Sequence, residues 1–461
     1  MAERWTAAAA RVSRGRAPAA SVRVAVSVRD VASGAELAAL DADRPLRPAS
    51  NMKLVTSAAA LVLLGGGMEF LTPIEAGGPV VGGELWGDLV VRAAGDPLSS
   101  PDGDPRVEPR LLEVARAIRA AGIGVVTGDL VLDEGSFAVP APGPGWPDPS
   151  QHWAEYCALS GGFTVNGGVL VADVFPGAVG TRARVEVHPS PHGLASDYDV
   201  RTTGGARLDV RVGATVSTVT VRGELPHTKA EFRAEFSHPR PVLLFASVFR
   251  AQLAAAGVVV RGGTRLERGA RGGPRIAELR SPVDGTLRPI NAESRNGVAD
   301  QLFLALGHTL AGAGTREAAF AATRRALAEL GVSTAGFRQV DGSGLSRDDR
   351  VSARQITALL RGVLAGDEGA AALYLDSLAV AGERGTLADR LAGSPARGRV
   401  RGKTGWIAGV SALSGVADPL AGGRLVFSIL VEYPPDVGGL NNACFKPMQD
   451  EMAKILVEGG S

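Results

Sequence analysis

The chain changes character twice, near Leu71 and again near Arg280, and those two changes limit what it can fold into. Ahead of the first change, residues 21–40 alternate apolar and polar side chains around "VASG", the pattern of a hairpin with one buried face. A helix is expected from near Ser50 to the glycine run at 65–67, because glycine readily ends helices. After the second change, helical spacing returns in "NGVADQLFLALGHTLAG" and "REAAFAATRRALAELG". Alternation follows in "RVRGKTGWIAGVSALSGVA" and "RLVFSILVEYP", then a last helix in "FKPMQDEMAKILVEG". The stretch between is rich in Gly, Pro and Val, with short strands and frequent turns. Residues 1–70 and 281–461 therefore read as two parts of one helix-and-sheet domain. Residues 71–280 read as an insertion of roughly 200 residues, large enough for one or two subdomains.

Two similar pieces lie inside the insertion, "GDLVVRAAGDP" from Gly87 and "GDLVLDEGSF" from Gly128. Between them Leu111, Leu112, Ala115, Ile118 and Ala121 have helical spacing. The unit reads as strand–helix–strand, a local duplication. A β-rich stretch follows, including "RLDVRVGATVSTVTVRGEL", and then a helix in "VLLFASVFRAQLAAAG".

The 461 residues carry 45% hydrophobic and 21% charged residues, an ordinary globular balance. A net charge of +1 gives no electrostatic case for nucleic acid or an anionic membrane. No apolar run reaches the roughly 20 residues that cross a bilayer. The opening "MAERWTAAAARVSRGRAPAA" lacks the apolar core of a secretory signal and reads as an amphipathic helix. Cys157 and Cys444 are expected to be buried free thiols. His188 and His192, in "EVHPSPHG", have too few neighbouring ligands for a metal and are expected in a surface loop. No phosphate-binding loop and no nucleophile elbow occur.

Lysine is scarce: five stand among 49 basic residues. Only an ammonium readily loses its proton inside a protein, so a lysine kept against this bias points to a task arginine cannot do. Lys53 follows Ser50 by three, which places hydroxyl and amine on one helix face. A neutral amine there could activate the serine as a nucleophile. A solvated helix lysine would give the same spacing. Ser294 and Asn296 precede a helical pattern, where they could shuttle a proton and hold an amide, or simply cap the helix. Lys403, Thr404 and Gly405 fall in an expected strand. Lys403 could supply charge, Thr404 bind a carboxylate and Gly405 admit a substrate backbone; an edge-strand lysine that resists aggregation fits as well.

Ser-x-x-Lys, Ser-x-Asn and Lys-Thr-Gly in this order resemble the active-site set of penicillin-binding proteins and serine β-lactamases. With the large insertion, "DGSGLSRDDRVSA", "PGWPDP" and "LSGGFTVNGGVL" added, the chain resembles the class C low-molecular-mass penicillin-binding proteins over nearly its whole length. These are D-alanyl-D-alanine carboxypeptidase/endopeptidases. The resemblance implies an α+β fold, an antiparallel sheet flanked by helices and interrupted by an α/β and β-rich insert. It implies that Ser50 becomes acylated, Lys53 takes its proton, Ser294 relays a proton to the leaving amine, and Asn296 holds the substrate amide. Lys403 and Thr404 would bind the terminal carboxylate, with the oxyanion between the N–H groups of Ser50 and Trp406. Lys403 is expected to depress the proton affinity of Lys53. Asp133, Phe137 and Arg347 match a side-chain pocket of relatives, while Ala408 and Trp406 depart from them. The implied partners are peptidoglycan stem peptides, with β-lactams as covalent inhibitors, and no cofactor or metal is expected. An extracytoplasmic location follows from the resemblance, the chain then being a mature form or one with a mis-assigned start. A β-lactamase or esterase on the same fold, or an inactive wall-binding protein, is the competing reading.

Overall fold

A computed structural model describes residues 21–98, 109–436 and 438–459. The amphipathic helix expected over the first 20 residues lies outside the described residues. Six strands form the central sheet: β1 (Arg23–Asp30), β2 (Glu36–Leu40), β3 (Ala379–Val380), β4 (Val400–Ile407), β5 (Val410–Ala417) and β6 (Leu425–Glu432). Their order is β3-β4-β5-β6-β1-β2, and every neighbouring pair is antiparallel. The N-terminal hairpin thus completes a sheet whose other strands come from the C-terminal part. β1 lies along all of β6, from Arg23 opposite Glu432 to Asp30 opposite Leu425.

Side chains in a strand alternate between faces, and here both faces are covered. Ala25, Ala412, Val416, Val426 and Leu430 pack on one side against helices α1 (Met52–Leu64) and, later in the chain, Ala353–Ala365. Val26, Val28, Leu413, Phe427, Ile429 and Val431 face the C-terminal helix Lys446–Glu458 through Met448, Met452, Ile455 and Leu456. As a result β5 and β6 are buried at every position. Their serines are satisfied in place, Ser414 donating to Ser428 at 2.8 Å.

Helix α1 is apolar nearly all round, as a helix enclosed on every side must be. One side meets the sheet. Ala59 and Ala60 on the other meet α2 (Asn296–Ala311) and α3 (Arg316–Glu329) through Leu302, Ala305, Ala322 and Ala326. It stops where expected, at Gly65 with φ +79°.

The insertion leaves and returns through two adjacent antiparallel strands, Glu69–Ala76 and Arg275–Pro282, with Glu69 opposite Pro282. The expected limits at 70/71 and 280/281 fall inside this pair. Beyond it the five-stranded sheet continues with Leu89–Arg92, Leu130–Asp133 and Thr264–Glu267. The two similar sequence pieces pair with each other, parallel and in register, Leu89 opposite Leu130 and Arg92 opposite Asp133. Helix Pro109–Ala120 connects them, giving the strand–helix–strand unit. Two three-stranded sheets, a four-stranded sheet of two-residue strands and helix Pro241–Ala255 complete the insertion around one main core.

Cys157 and Cys444 are both buried and free. The two histidines differ from expectation. His192 is only 9% exposed, accepts from Leu194 N–H and lies 3.1 Å from the Tyr198 hydroxyl, and His188 sits beside Asp173. Packing of the strand Val169–Phe175 against its neighbours draws this apparent loop inward.

Candidate active site

The site begins at a turn that regular helix geometry could not supply. Ala49 has φ +46°, a sparsely populated conformation for a residue with a Cβ, and Ala49–Asn51 form one 3-10 turn before α1 starts. This presents Ser50 at the helix mouth. One turn later Lys53 is fully buried, with its amine aimed back at the serine. Lys53 Nζ donates to Ser50 Oγ at 3.0 Å, to Asn296 Oδ1 at 2.6 Å and to the carbonyl of Ser343 at 2.9 Å. Asn296, first residue of α2, in turn donates from Nδ2 to the Tyr156 carbonyl of the insertion at 2.9 Å. Ser50, Lys53 and Asn296 are thus one hydrogen-bonded chain contributed by the 3-10 turn, α1 and α2.

Burial pushes the Lys53 amine down from 10.5 to about 8, against the pull of Asp300, Asp341 and Asp349. Burial also holds Lys403 well below the usual lysine range, the charge of Lys53 lowers it further, and Glu293 works against both. Loss of solvent is thus the leading cause at both lysines, and the mutual repulsion of the two ammonium groups adds to it. Lys403 is not an exposed edge lysine. It is fully buried, with Nζ donating to the Thr404 carbonyl at 2.9 Å.

Strand β4 packs on the nucleophile turn through Gly405. A Cβ there would sit 2.9 Å from the Pro48 carbonyl oxygen and 3.2 Å from Asn51 Nδ2, so the close approach needs glycine. Short β3 pairs only with Arg401 and Gly402 of β4, leaving the edge from Lys403 onward without a strand partner among the described residues. The Val400 carbonyl accepts from Ala381 N–H on that side, so by alternation the main-chain groups of Thr404 and Trp406 face the open edge. Thr404 Oγ1 bonds Thr386 Oγ1 at 2.9 Å, and the Trp406 ring is 60% exposed.

Ser294 has φ +64° and lines a cleft with Glu155, Tyr156, Glu293 and Asn296. Its hydroxyl is not among the partners of Lys53. Arg347 is half-buried in a loop joined to the insertion, its N–H donating to the Gly145 carbonyl; its guanidinium has no ion pair among the described residues. Asp133 and Phe137 are corrected. Asp133 is 3% exposed, ion-paired to Arg92 at 2.5 Å, and accepts from the N–H groups of Gly135, Gly269 and Ala270. Phe137 is fully buried, with its ring 4.6 Å from that of His308. Both side chains hold the insertion together and present nothing to a ligand.

Several supporting groups escaped the sequence reading. The Ser343 and Tyr156 carbonyls are main-chain groups, invisible to side-chain patterns. Asp341 holds the "DGSGLS" loop by accepting from Gly344 N–H, Ser346 N–H and Trp146 Nε1, all within 2.7–2.8 Å. The two glycines of that loop were the available signal.

A family model described as D-Ala-D-Ala carboxypeptidase 3 (S13) matches residues 13–457. The chain belongs to this family. It is 37% identical over 432 residues, covering 88% of this chain and 77% of the relative, to a D-alanyl-D-alanine carboxypeptidase of Actinomadura sp. (strain R39). It is 26% identical over 399 residues to D-alanyl-D-alanine carboxypeptidase DacB of Haemophilus influenzae, covering 82% and 79%. The fold is shared with crystalline penicillin binding protein 4 from the same organism, TM-score 0.79 at 22% identity and 98% coverage of each chain. A second structure of that protein, with a β-lactam, superposes with TM-score 0.74 at 21% identity and 99% coverage of each. The chain is thus a serine peptidase of the penicillin-binding class. No helix among the described residues is long and apolar enough to cross a membrane, and none of their His, Cys, Asp and Glu side chains cluster to hold a metal.

Proposed function

We propose that the protein cleaves D-alanyl-D-alanine in peptidoglycan stem peptides outside the cytoplasmic membrane, through an acyl-enzyme on Ser50. The contact that carries this reading is the 3.0 Å approach of Lys53 Nζ to Ser50 Oγ, made by an amine already lowered to about 8. At pH 7 about one Lys53 in ten is then neutral, against fewer than one in a thousand for a free lysine.

The neutral amine takes the proton as Ser50 Oγ attacks the carbonyl between the two D-alanines. The substrate lies along the open edge of β4 as an added strand, which aligns its main chain with Thr404 and Trp406. The N–H groups of Ser50 and Trp406 receive the oxyanion, a device that contributes roughly 3–4 kcal/mol. The terminal carboxylate meets Thr404 Oγ1 and the charge of Lys403. Ser294 relays the proton that Lys53 took from Ser50 to the departing amine, which leaves Lys53 neutral again, and Asn296 holds the substrate amide. Water then attacks the ester, Lys53 again accepting a proton. A β-lactam follows the first half by opening its ring onto Ser50. Arg347 is the remaining candidate for a charged group of the stem peptide.

Incubation with a pentapeptide and with cross-linked muropeptides, followed by mass analysis, tests the reading and separates carboxypeptidase from endopeptidase activity. A penicillin adduct on the peptide containing Ser50 is the expected companion result. Absence of both products and adduct overturns it. Prompt release of the bound penicillin would favour a β-lactamase.

A further inference from the structure

Asp300 lies one turn after Asn296 on α2, on the face that meets Lys53. It is 94% buried, being 6% exposed, and among the described residues neither carboxyl oxygen has a donor at hydrogen-bonding geometry, the Ser343 hydroxyl being the polar side chain beside it. A buried carboxyl without a partner is costly, so its retention calls for an account. Both Asp300 and Asp341 line a small pocket with Trp146, Ser160 and Arg316, of about 20 Å³, room for one water molecule. Asp341 is already committed to Trp146 and to the loop N–H groups. Among the lining groups, capacity is left on the Asp300 carboxyl and on the Arg316 guanidinium, which spends one N–H on the Ala141 carbonyl.

We propose that Asp300 is a positioning residue for the acylation step: its buried carboxyl group, one helical turn from the Asn296 that bonds the Lys53 amine, sets how tightly Lys53 holds its proton. The inference rests on the reading of Lys53 as the base. The groups facing Asp300 are Lys53 from α1, Asp341 and Asp349 from the loop after α3, Arg316 at the start of α3, and Cys157 from the insertion. Burial and Asp341 raise Asp300 to about 8, the same region as Lys53, so the two titrate as a pair. With Asp300 protonated, Lys53 loses the attraction of one negative charge and becomes neutral more easily. As Asp300 ionises, Lys53 retains its proton to higher pH. Raising the pH through this region therefore produces neutral amine gradually. Asp300 does not touch substrate; it acts on Lys53 alone.

The test is the pH dependence of penicillin acylation in wild type and Asp300→Asn. The asparagine keeps the shape and removes the charge, so the midpoint is expected to fall by about one pH unit, the low end of what a nearby opposite charge contributes. Asp300→Glu is expected to restore the wild-type midpoint. A lowered melting temperature with an unmoved midpoint overturns the proposal and leaves Asp300 a packing residue. Where Asp300→Asn yields no folded protein, Asp300→Ser serves the same test. The wild-type profile gives an independent reading, since an interacting pair titrates more broadly than one group; a profile fitting a single ionisation counts against the proposal. Failure of Ser50 to acylate at any pH overturns the reading of the site itself, whereas acylation with an unmoved midpoint overturns only the role of Asp300.

Discussion

Gly344 presses so closely beneath Ala49 that a Cβ placed on it would come within 1.8 Å of the Ala49 carbonyl oxygen. Gly344 also has φ +80°, which a side chain resists. The loop that supplies the Ser343 carbonyl to Lys53 is thereby clamped under the turn that presents Ser50. Gly344→Ala is expected to displace that turn. Penicillin acylation should fall by at least tenfold, and the melting temperature should drop. Wild-type acylation and stability in this variant would show that the clamp is dispensable.

Acylation should rise with pH through about 8. The sign follows from the amine: Lys53 must be neutral to accept a proton, and burial lowers it from 10.5 to about 8. Below that value each unit of pH removes about tenfold of the neutral form. Acylation at pH 6 should be several-fold below that at pH 7, the full tenfold step applying to an amine that titrates alone. A rate that keeps climbing toward pH 10 would mean the amine is not depressed. Lys53→Arg retains the charge but not the proton acceptor, and should lose roughly a hundredfold or more.

Asp133→Ala should cost stability and spare substrate choice. The variant leaves Arg92 with one of its two carboxylate partners and three N–H groups without their acceptor. Arg92 keeps Glu75, so the loss is that of the unsatisfied N–H groups, about 1–3 kcal/mol for a buried donor, read as a lower denaturation midpoint. Relative rates on peptides with different third residues should stay unchanged. A shift in those rates at unchanged stability would return Asp133 to the substrate pocket.

Thr404→Val should raise KM for a peptide ending in D-Ala-D-Ala by roughly tenfold, the value of about 1.5 kcal/mol for a hydrogen bond to a charged group. A substrate whose terminal carboxylate is amidated should lose nothing further in the variant. Equal losses on both would place the threonine hydroxyl elsewhere than on the carboxylate.

What could be read in advance depended on how far apart the cooperating residues lie in sequence. Ser50 and Lys53 are one turn apart, across the 3-10 entry to α1, so three residues of spacing sufficed. The hairpin at Arg23–Leu40 and the paired repeats at Leu89 and Leu130 were likewise set by local alternation. Asp133 misled because a strand-end acid looks available until Arg92, on the strand beside it, is brought opposite. Lys403 gave no sign of its burial, since that depends on α1 and β4 meeting across most of the chain. Asp300 appeared only as one acid in a helical pattern. Its isolation from partners requires α2, the 341–349 loop and Trp146 together.

The neck of the insertion has its two threads side by side, Glu69 opposite Pro282, about 5 Å apart as neighbouring strands are. Topologically it could be cut away and the gap closed by a tight turn, with the chain path through the rest of the molecule unbroken. Chemically the excision would be expensive, because Tyr156 steadies Asn296 and Trp146 steadies Asp341 from outside the domain that owns the nucleophile. A shortened descendant would have to rebuild both props before it could work.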